Sequence, residues 1–295
     1  MKIAVFGTGL LGRPIAERLA AAGFEVIAYN RTQAKAEPLR EAGIAVAQHP
    51  WEAASAAECL ILMLADYGAI RNVILDDAVR KVLRGRTVIQ MATIGPDDSR
   101  ALAAEVREAG GDYFECPVLG SVAEAQAGKL LLMVGSEEGQ LDRWQQVLTA
   151  LGPEPRLIGQ VGQAAALKLA LNHLIAAETA AFALSLGIVM RESIRVDDFL
   201  AILRNSALYA PTFDKKLPRL LDRNYTNPNF STRHLLKDVN LCLAEADRLG
   251  LRTESLRGLP ILLARTIELG LAEADYSALY EAVNPRRIGA TDTAG

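Results

Sequence analysis

The sequence predicts two domains of different class: an α/β domain built on a parallel sheet, then an all-helical domain. Three observations carry this. Through residues 1–161, short apolar runs alternate with segments of helical spacing, the pattern of a parallel sheet covered on both faces. Beyond Gly159–Gly162 the strand signals nearly vanish, and apolar residues recur at helical intervals. The length, 295 residues, suits two domains that bury cores without disulfide or metal staples.

Taken in order, Ile3–Phe6 reads as a buried strand and Leu10–Ala22 as a helix. Glu25–Tyr29 is a second strand. Thr32 is placed to cap a helix that runs toward Glu41 and ends at Gly43. Cys59–Leu64 and Thr87–Met91 are further strands. Pro96-Asp97-Asp98 opens a helix with proline and two acids in its first turn, as the helix dipole favours, and Gly110-Gly111 stops it. Tyr113–Cys116, Leu130–Val134 and Leu157–Ile158 complete the strands. Ala164–Met190 then reads as one long helix, relaxed at Gly187. Val196–Ser206, Arg233–Leu249 and Ser255–Leu269 are shorter helices. The division at residue 161 gives domains 1–161 and 162–285. A loose tail, 286–295, lacks apolar periodicity.

Composition narrows the function classes. Hydrophobic residues make up 51% and charged residues 23%, ordinary globular usage that argues against disorder. Lys+Arg is 32 against 35 Asp+Glu, a net charge of −3 that gives no electrostatic reason to expect nucleic acid. Cys59, Cys116 and Cys242 form no CxxC, and His49, His173 and His234 have no zinc spacing. A reduced, cytoplasmic, metal-free protein is the simplest reading. The amino terminus reads as a strand, with no cleavable signal. Leu169–Met190 is apolar enough to raise a membrane span, but Asn172, His173 and Glu178 interrupt it, so a buried helix is expected and no membrane.

Gly7-Thr8-Gly9-Leu10-Leu11-Gly12 matches GxGxxG directly between a strand and a helix, with a second strand following. That context marks a Rossmann-type dinucleotide site. Gly7 serves the tight turn, Gly9 lets a pyrophosphate approach the backbone, and Gly12 lets the helix pack on the sheet. The helix N-terminus supplies free N–H groups and positive potential. The second strand ends in Asn30-Arg31-Thr32, where a free ribose 2′-OH would call for a carboxylate. Arg31 can clamp a 2′-phosphate with its planar fork, and Asn30 and Thr32 can add hydrogen bonds, so NADP(H) is expected over NAD(H). Met63, Leu64 and Ala65 close another strand where the cofactor would lie against the sheet edge.

Three further segments carry a resemblance. They are Glu115-Cys116-Pro117-Val118-Leu119-Gly120-Ser121, continuing through Ala125 and Gly128 to Leu130; Gly159-Gln160-Val161-Gly162 with Lys168 and Asn172; and Phe230 with Lys237-Asp238. With the glycine turn, in this order, residues 1–285 resemble the β-hydroxyacid dehydrogenase family, nearest to its glyoxylate/succinic semialdehyde reductase branch. The resemblance implies a 6-phosphogluconate dehydrogenase-like arrangement of the two domains. It also implies NAD(P)-dependent interconversion of a small hydroxyacid and its aldehyde or ketone, in a homodimer or homotetramer.

Carried onto this sequence, the family's catalytic lysine is Lys168 and its substrate-binding asparagine is Asn172. Residues four apart share a helix face. An ammonium at Lys168 would stabilise charge growing on a carbonyl oxygen and donate the proton; a neutral amine would accept it in reverse. By the same resemblance Gly120 and Ser121 bind substrate. Thr93 lies near the nicotinamide ribose and substrate, Lys237 reaches the cofactor, Phe230 walls the nicotinamide side, and Asp238 holds a lysine. One position departs: Leu119 stands where the family has a serine that binds substrate carboxylate. Carboxylate capture would then rest on the N–H groups of Gly120 and Ser121 and the Ser121 hydroxyl.

The leading expectation is an NADPH-dependent reductase of a semialdehyde or oxoacid. Oxidation of 3-hydroxyisobutyrate-like substrates is the alternative direction. Imine reductases share the fold and the Asn30-Arg31-Thr32 pattern; Lys168 argues against them and Leu119 for them. A non-catalytic dinucleotide-binding interaction protein is disfavoured by the intact Lys168 and Asn172 pair.

Overall fold

The computed structural model of the chain describes residues 1–137 and 139–286. It divides into two compact units, Met1–Leu169 and the residues from Ala170 onward. The division falls inside the long helix, eight residues beyond the expected boundary. Residues 287–295 of the expected tail lie outside the described residues.

The first unit is built on a nine-stranded sheet. Its strands are β1 Lys2–Phe6, β2 Glu25–Tyr29, β3 Ala45–Val46, β4 Cys59–Leu62, β5 Thr87–Gln90, β6 Asp112–Glu115, β7 Val118–Leu119, β8 Leu131–Gly135 and β9 Arg156–Gly159. The order is β3-β2-β1-β4-β5-β6-β8-β7, with β9 on β8. The first six strands are parallel in the doubly wound order 3-2-1-4-5-6, so the chain reverses direction across the sheet between β1 and β4. Register pairs Phe6 with Tyr29 on one side and with Leu62 on the other.

Side chains alternate across the sheet. Ile3, Val5, Ile61, Ile89 and Phe114 enter one core with Trp144 and Leu148. Ala4, Phe6, Leu60, Leu62, Val88 and Tyr113 enter the other with Ile70 and Leu102. Both faces are buried, which is why these strands read as continuous apolar runs. Each such Val, Leu, Ile or Phe side chain contributes about 1.5–3 kcal/mol by leaving water.

Three expectations are corrected. The sheet is not wholly parallel: β8 runs antiparallel to β6 and β7. The helix between β7 and β8, Val122–Ala127, has six residues. It rises about 9 Å, too short to carry the chain back along a strand for a parallel crossover. The helix expected from Thr32 is two 3₁₀ segments, Gln33–Lys35 and Glu37–Ala42, and the Thr32 side chain makes no capping bond. Pro38 lacks the N–H that a continuous helix would need there. Gly43, at φ +74°, ends the second segment as expected. The long helix, Gln163–Arg191, runs through Gly187 without a break. A Cβ at Gly187 would sit in ordinary contact with Asn284, at 3.4 Å.

The second unit is helical. The long helix buries Ala176, Phe182, Ala183 and Leu186 against Leu235 and Val239 of Thr232–Arg248, Leu263 of Gly258–Glu268, and Tyr280. Phe182 stacks on Phe213 of Pro211–Leu221, ring centroids 4.7 Å apart. By length and composition the long helix could cross a membrane (mean hydropathy 1.6 in its most apolar window, 39% of that window buried).

Candidate active site

The glycine turn follows β1 directly. Gly7 has φ +93°, and its N–H donates to the Tyr29 carbonyl at 2.8 Å. A Cβ at Gly7 would lie 2.4 Å from the Met63 carbonyl oxygen, and one at Gly12 would lie 1.9 Å from the Gly7 carbonyl oxygen. Neither backbone contact can give way, so both positions require glycine. Around Gly9, by contrast, a Cβ would meet nothing within 4 Å. The turn is therefore closed on its sheet side and open at Gly9, the shape a pyrophosphate needs to reach the backbone N–H groups. Leu10 is exposed at the same turn and Leu11 is half-buried.

The end of β2 is tied to this turn. Buried Thr8 donates its hydroxyl to the Lys35 carbonyl at 2.9 Å and accepts from Asn30 Nδ2 at 2.8 Å. Asn30 Oδ1 accepts from the Thr32 N–H at 3.0 Å. The Asn30 amide is thus spent on shaping the loop, and the exposed Arg31 lies between its two anchor points in sequence. Met63 donates its N–H to Phe6 at 2.8 Å, with Leu64 half-buried and Ala65 exposed after it. Thr93 is half-buried beyond β5, two residues before Gly95, the N-cap of helix Pro96–Glu108.

The loop after β6 takes its shape from two acids. Gly120 has φ +149°, and a Cβ there would meet Leu130 at 2.7 Å. Ser121 caps Val122–Ala127 in a capping box: its N–H donates to Glu124 Oε2 at 2.6 Å, and its hydroxyl donates to the same oxygen. Both Ser121 donors expected to meet a substrate carboxylate are therefore engaged by Glu124. Glu115, at the end of β6, is buried. Its Oε2 accepts from the Gly162 N–H at 2.8 Å and from the Ser99 hydroxyl, and its Oε1 accepts from the Ala165 N–H at 2.9 Å. Burial pushes this carboxyl above its usual range, and the bonds from Ser99, Ala165 and Gly162 oppose that. Sequence reasoning placed Glu115 at the head of the loop that carries the resemblance but gave it no role of its own; its signal was an acid directly after the apolar Tyr113 and Phe114.

Glu115 thereby holds the opening turn of the long helix. Lys168 follows in the second turn and is only 7% exposed. Asn172 stands one turn further on the same helix, 2% exposed. Its Nδ2 donates to Asp238 Oδ2 at 2.6 Å, while its Oδ1 is buried with no hydrogen-bond partner. The amide orientation is fixed chemically, since an ionised carboxylate can only accept. Asp238 also pairs through Oδ1 with Lys237 at 2.7 Å. Lys237 and Asn172 thus meet on one carboxylate, which sequence spacing could not show. Phe230 packs edge-on against Tyr276, centroids 5.8 Å apart, on the second unit's core.

Within the first unit, a nicotinamide dinucleotide fits the turn that is open at Gly9 and the absence of a carboxylate at the end of β2.

Comparison with known proteins agrees with this geometry. Residues 2–162 match the family model described as the NAD binding domain of 6-phosphogluconate dehydrogenase. Residues 162–283 match that of the NAD-binding domain of NADP-dependent 3-hydroxyisobutyrate dehydrogenase. Glyoxylate/succinic semialdehyde reductase 1 of Arabidopsis thaliana is 29% identical over 96% of this chain and 98% of that protein. An uncharacterized oxidoreductase of Bacillus subtilis is 31% identical over 96% of this chain and 100% of that protein. In fold, the crystal structure of 3-hydroxyisobutyrate dehydrogenase from Salmonella typhimurium matches at TM-score 0.86 and 20% identity, covering 95% of this chain and 99% of that one.

Proposed function

This chain is a member of the β-hydroxyacid dehydrogenase family, and from that premise we propose that it interconverts a small hydroxyacid and its semialdehyde or oxoacid with NADP(H), Lys168 moving the proton. Membership makes it an NAD(P)-dependent oxidoreductase acting on a CH–OH/C=O pair. The observation that carries the finer reading is the buried pair on the long helix: Lys168, and one turn on, an asparagine whose oxygen lacks a partner.

A bound nicotinamide dinucleotide supplies the hydride in reduction and takes it up in oxidation. In reduction, negative charge gathers on the substrate's carbonyl oxygen, and the Lys168 ammonium stabilises it and donates a proton. In oxidation the neutral amine accepts the hydroxyl proton. Asn172 Oδ1 can only accept, so it suits the hydroxyl of the alcohol. Asp238 keeps that oxygen turned toward the ligand.

Preference for NADP(H) is supported by the exposed Arg31 and by the neutral Asn30 where a carboxylate would repel a 2′-phosphate. We read the protein as a cytoplasmic homodimer or homotetramer, independent of nucleic acid and membrane. Exposed Leu174, Leu184 and Ile188 on the long helix support burial against a second copy. A second reading, imine reduction, draws support from Leu119 and from the engagement of Ser121 by Glu124, which leave the loop few donors for a carboxylate.

NADPH oxidation against a panel of aldehydes, oxoacids and cyclic imines tests these readings. Turnover on aldehydes or oxoacids is expected, with Lys168→Ala lowering it about 10²–10⁴-fold at nearly unchanged NADPH affinity. Retained turnover in Lys168→Ala, or turnover on imines alone, overturns the proposal.

A further inference from the structure

We propose that Glu115 is a positioning residue for Lys168, holding the turn from which the amine projects in register with the sheet edge. The inference rests on the reading of Lys168 given above. Glu115 ends β6 and is buried. Its two oxygens take the N–H groups of Gly162 and Ala165, at 2.8 and 2.9 Å, together with the Ser99 hydroxyl. Ala165 lies three residues before Lys168, on the same side of the helix. One carboxylate therefore bridges β6, helix Pro96–Glu108 and the first turn of the long helix.

The surroundings are built around this acid. A Cβ at Gly135 of β8 would lie 2.4 Å from Glu115 Oε1, so the space beside the carboxylate is reserved by a glycine. A Cβ at Gly162, φ +97°, would lie 2.1 Å from the Arg100 guanidinium. Ionisable groups at this junction include Tyr113, which shares Ser99 with Glu115, Arg100, paired with Asp97, and the neighbouring buried Cys116. The buried negative charge sits at the positive end of the helix dipole, where it satisfies N–H groups that have no partner within the helix. A neutral side chain of the same shape cannot do this. In Glu115→Gln one end of the side chain becomes an NH₂ facing an N–H or hydroxyl donor, and the turn must shift.

The test is Glu115→Gln, with Ser99→Ala as a milder second variant that removes one donor only. Expected is a fall in kcat of about tenfold or more at NADPH affinity within about twofold. The alkaline limb of the kcat profile for reduction should also move. Reduction needs the protonated amine, so activity is lost as pH rises through its pKa. Glu115→Gln shifts the turn that carries the amine and so changes its surroundings, and the limb should move by about half a unit or more. In a Lys168→Ala background, Glu115→Gln should cost about nothing further. Ser99→Ala should reproduce part of the fall in kcat if Glu115→Gln does not fold. A purely structural role would lower Tm and leave kcat, its pH limb and the double-variant cycle unmoved; that result overturns the inference. Retained turnover in Lys168→Ala alone would instead overturn the reading on which it stands.

Discussion

On the proposed reading, the bond between Asn172 and Asp238 sets which atom of the amide would meet the substrate, and its worth can be worked out. Both residues are buried, the N–O distance is 2.6 Å, and the acceptor is a carboxylate paired with Lys237. A hydrogen bond to a charged group contributes about 1.5–3 kcal/mol. The flipped amide would set its oxygen against the carboxylate, so nearly all of that energy favours the productive orientation. At about 1.4 kcal/mol per tenfold, Asp238→Ala should lower kcat/KM roughly 10- to 150-fold. Asp238→Asn keeps a neutral acceptor of about half the strength and should fall in between. The assay is steady-state NADPH oxidation with the best carbonyl substrate, and Lys237→Met on the Asp238→Ala background controls for the released ammonium. If both Asp238 variants keep kcat/KM within about twofold of the parent, or if Lys237→Met restores it, the amide is not oriented by Asp238 and this reasoning fails.

Two further outcomes are expected. Arg31→Ala should lower the NADPH-to-NADH ratio of kcat/KM about tenfold, because one exposed charge-assisted contact to a 2′-phosphate is lost; an unchanged ratio removes Arg31 from cofactor selection. In the second unit, Lys216 pairs with Asp275 at 2.7 Å, both buried, with the ammonium also 4.0 Å from the Tyr276 ring centroid. Lys216→Met strands the Asp275 charge and should cost about 3 kcal/mol or more in chemical denaturation. Burial alone would raise the Asp275 carboxyl, but the Lys216 ammonium and the bonds from Ser277 outweigh it and leave it below its ordinary value. The sign follows: a depressed carboxyl contributes stability that is present above its unfolded pKa of about 4 and is lost as pH falls through the lower folded value. The parent should therefore lose Tm in acid below that point, and Lys216→Met should lose less over the same range. Equal acid slopes would contradict this.

The glycine turn was fully legible, because a strand, three spaced glycines and a helix impose one local geometry. The long helix was legible in extent, though not in its continuity through Gly187. What escaped reading came from interactions distant in sequence. The Thr8 to Asn30 bond spans 22 positions and the Asn172 to Asp238 bond spans 66; no periodicity encodes either. Thr32 misled for a local reason: its spacing suited a cap, yet Pro38 made a continuous helix untenable. The helix Gln140–Leu151 was legible after all. Its Leu141, Trp144, Val147, Leu148 and Leu151 fall on one face, and the expected alternation passed over them. Pro211–Leu221 was harder, since Pro218 inside it reads as a breaker.

In the proposed reaction, the loop after β6 would bear most directly on substrate choice. A carboxylate-bearing substrate seeking the Ser121 N–H and hydroxyl must compete with Glu124, which already holds both. That competitor is tethered three residues away and pays little entropy to bind, whereas a free substrate loses translation and rotation. The two carboxylates would also repel each other at close range. Leu119 adds no polar group at the neighbouring position. The loop therefore favours substrates that present a weakly polar face to it. A semialdehyde or oxoacid handled here must turn its carboxylate toward other donors or displace Glu124. Within the substrate panel, the dependence of KM on chain length and on the presence of a carboxylate separates these two routes. Displacement predicts a penalty for every acid regardless of length, and redirection predicts a penalty that depends on where the carboxylate can reach.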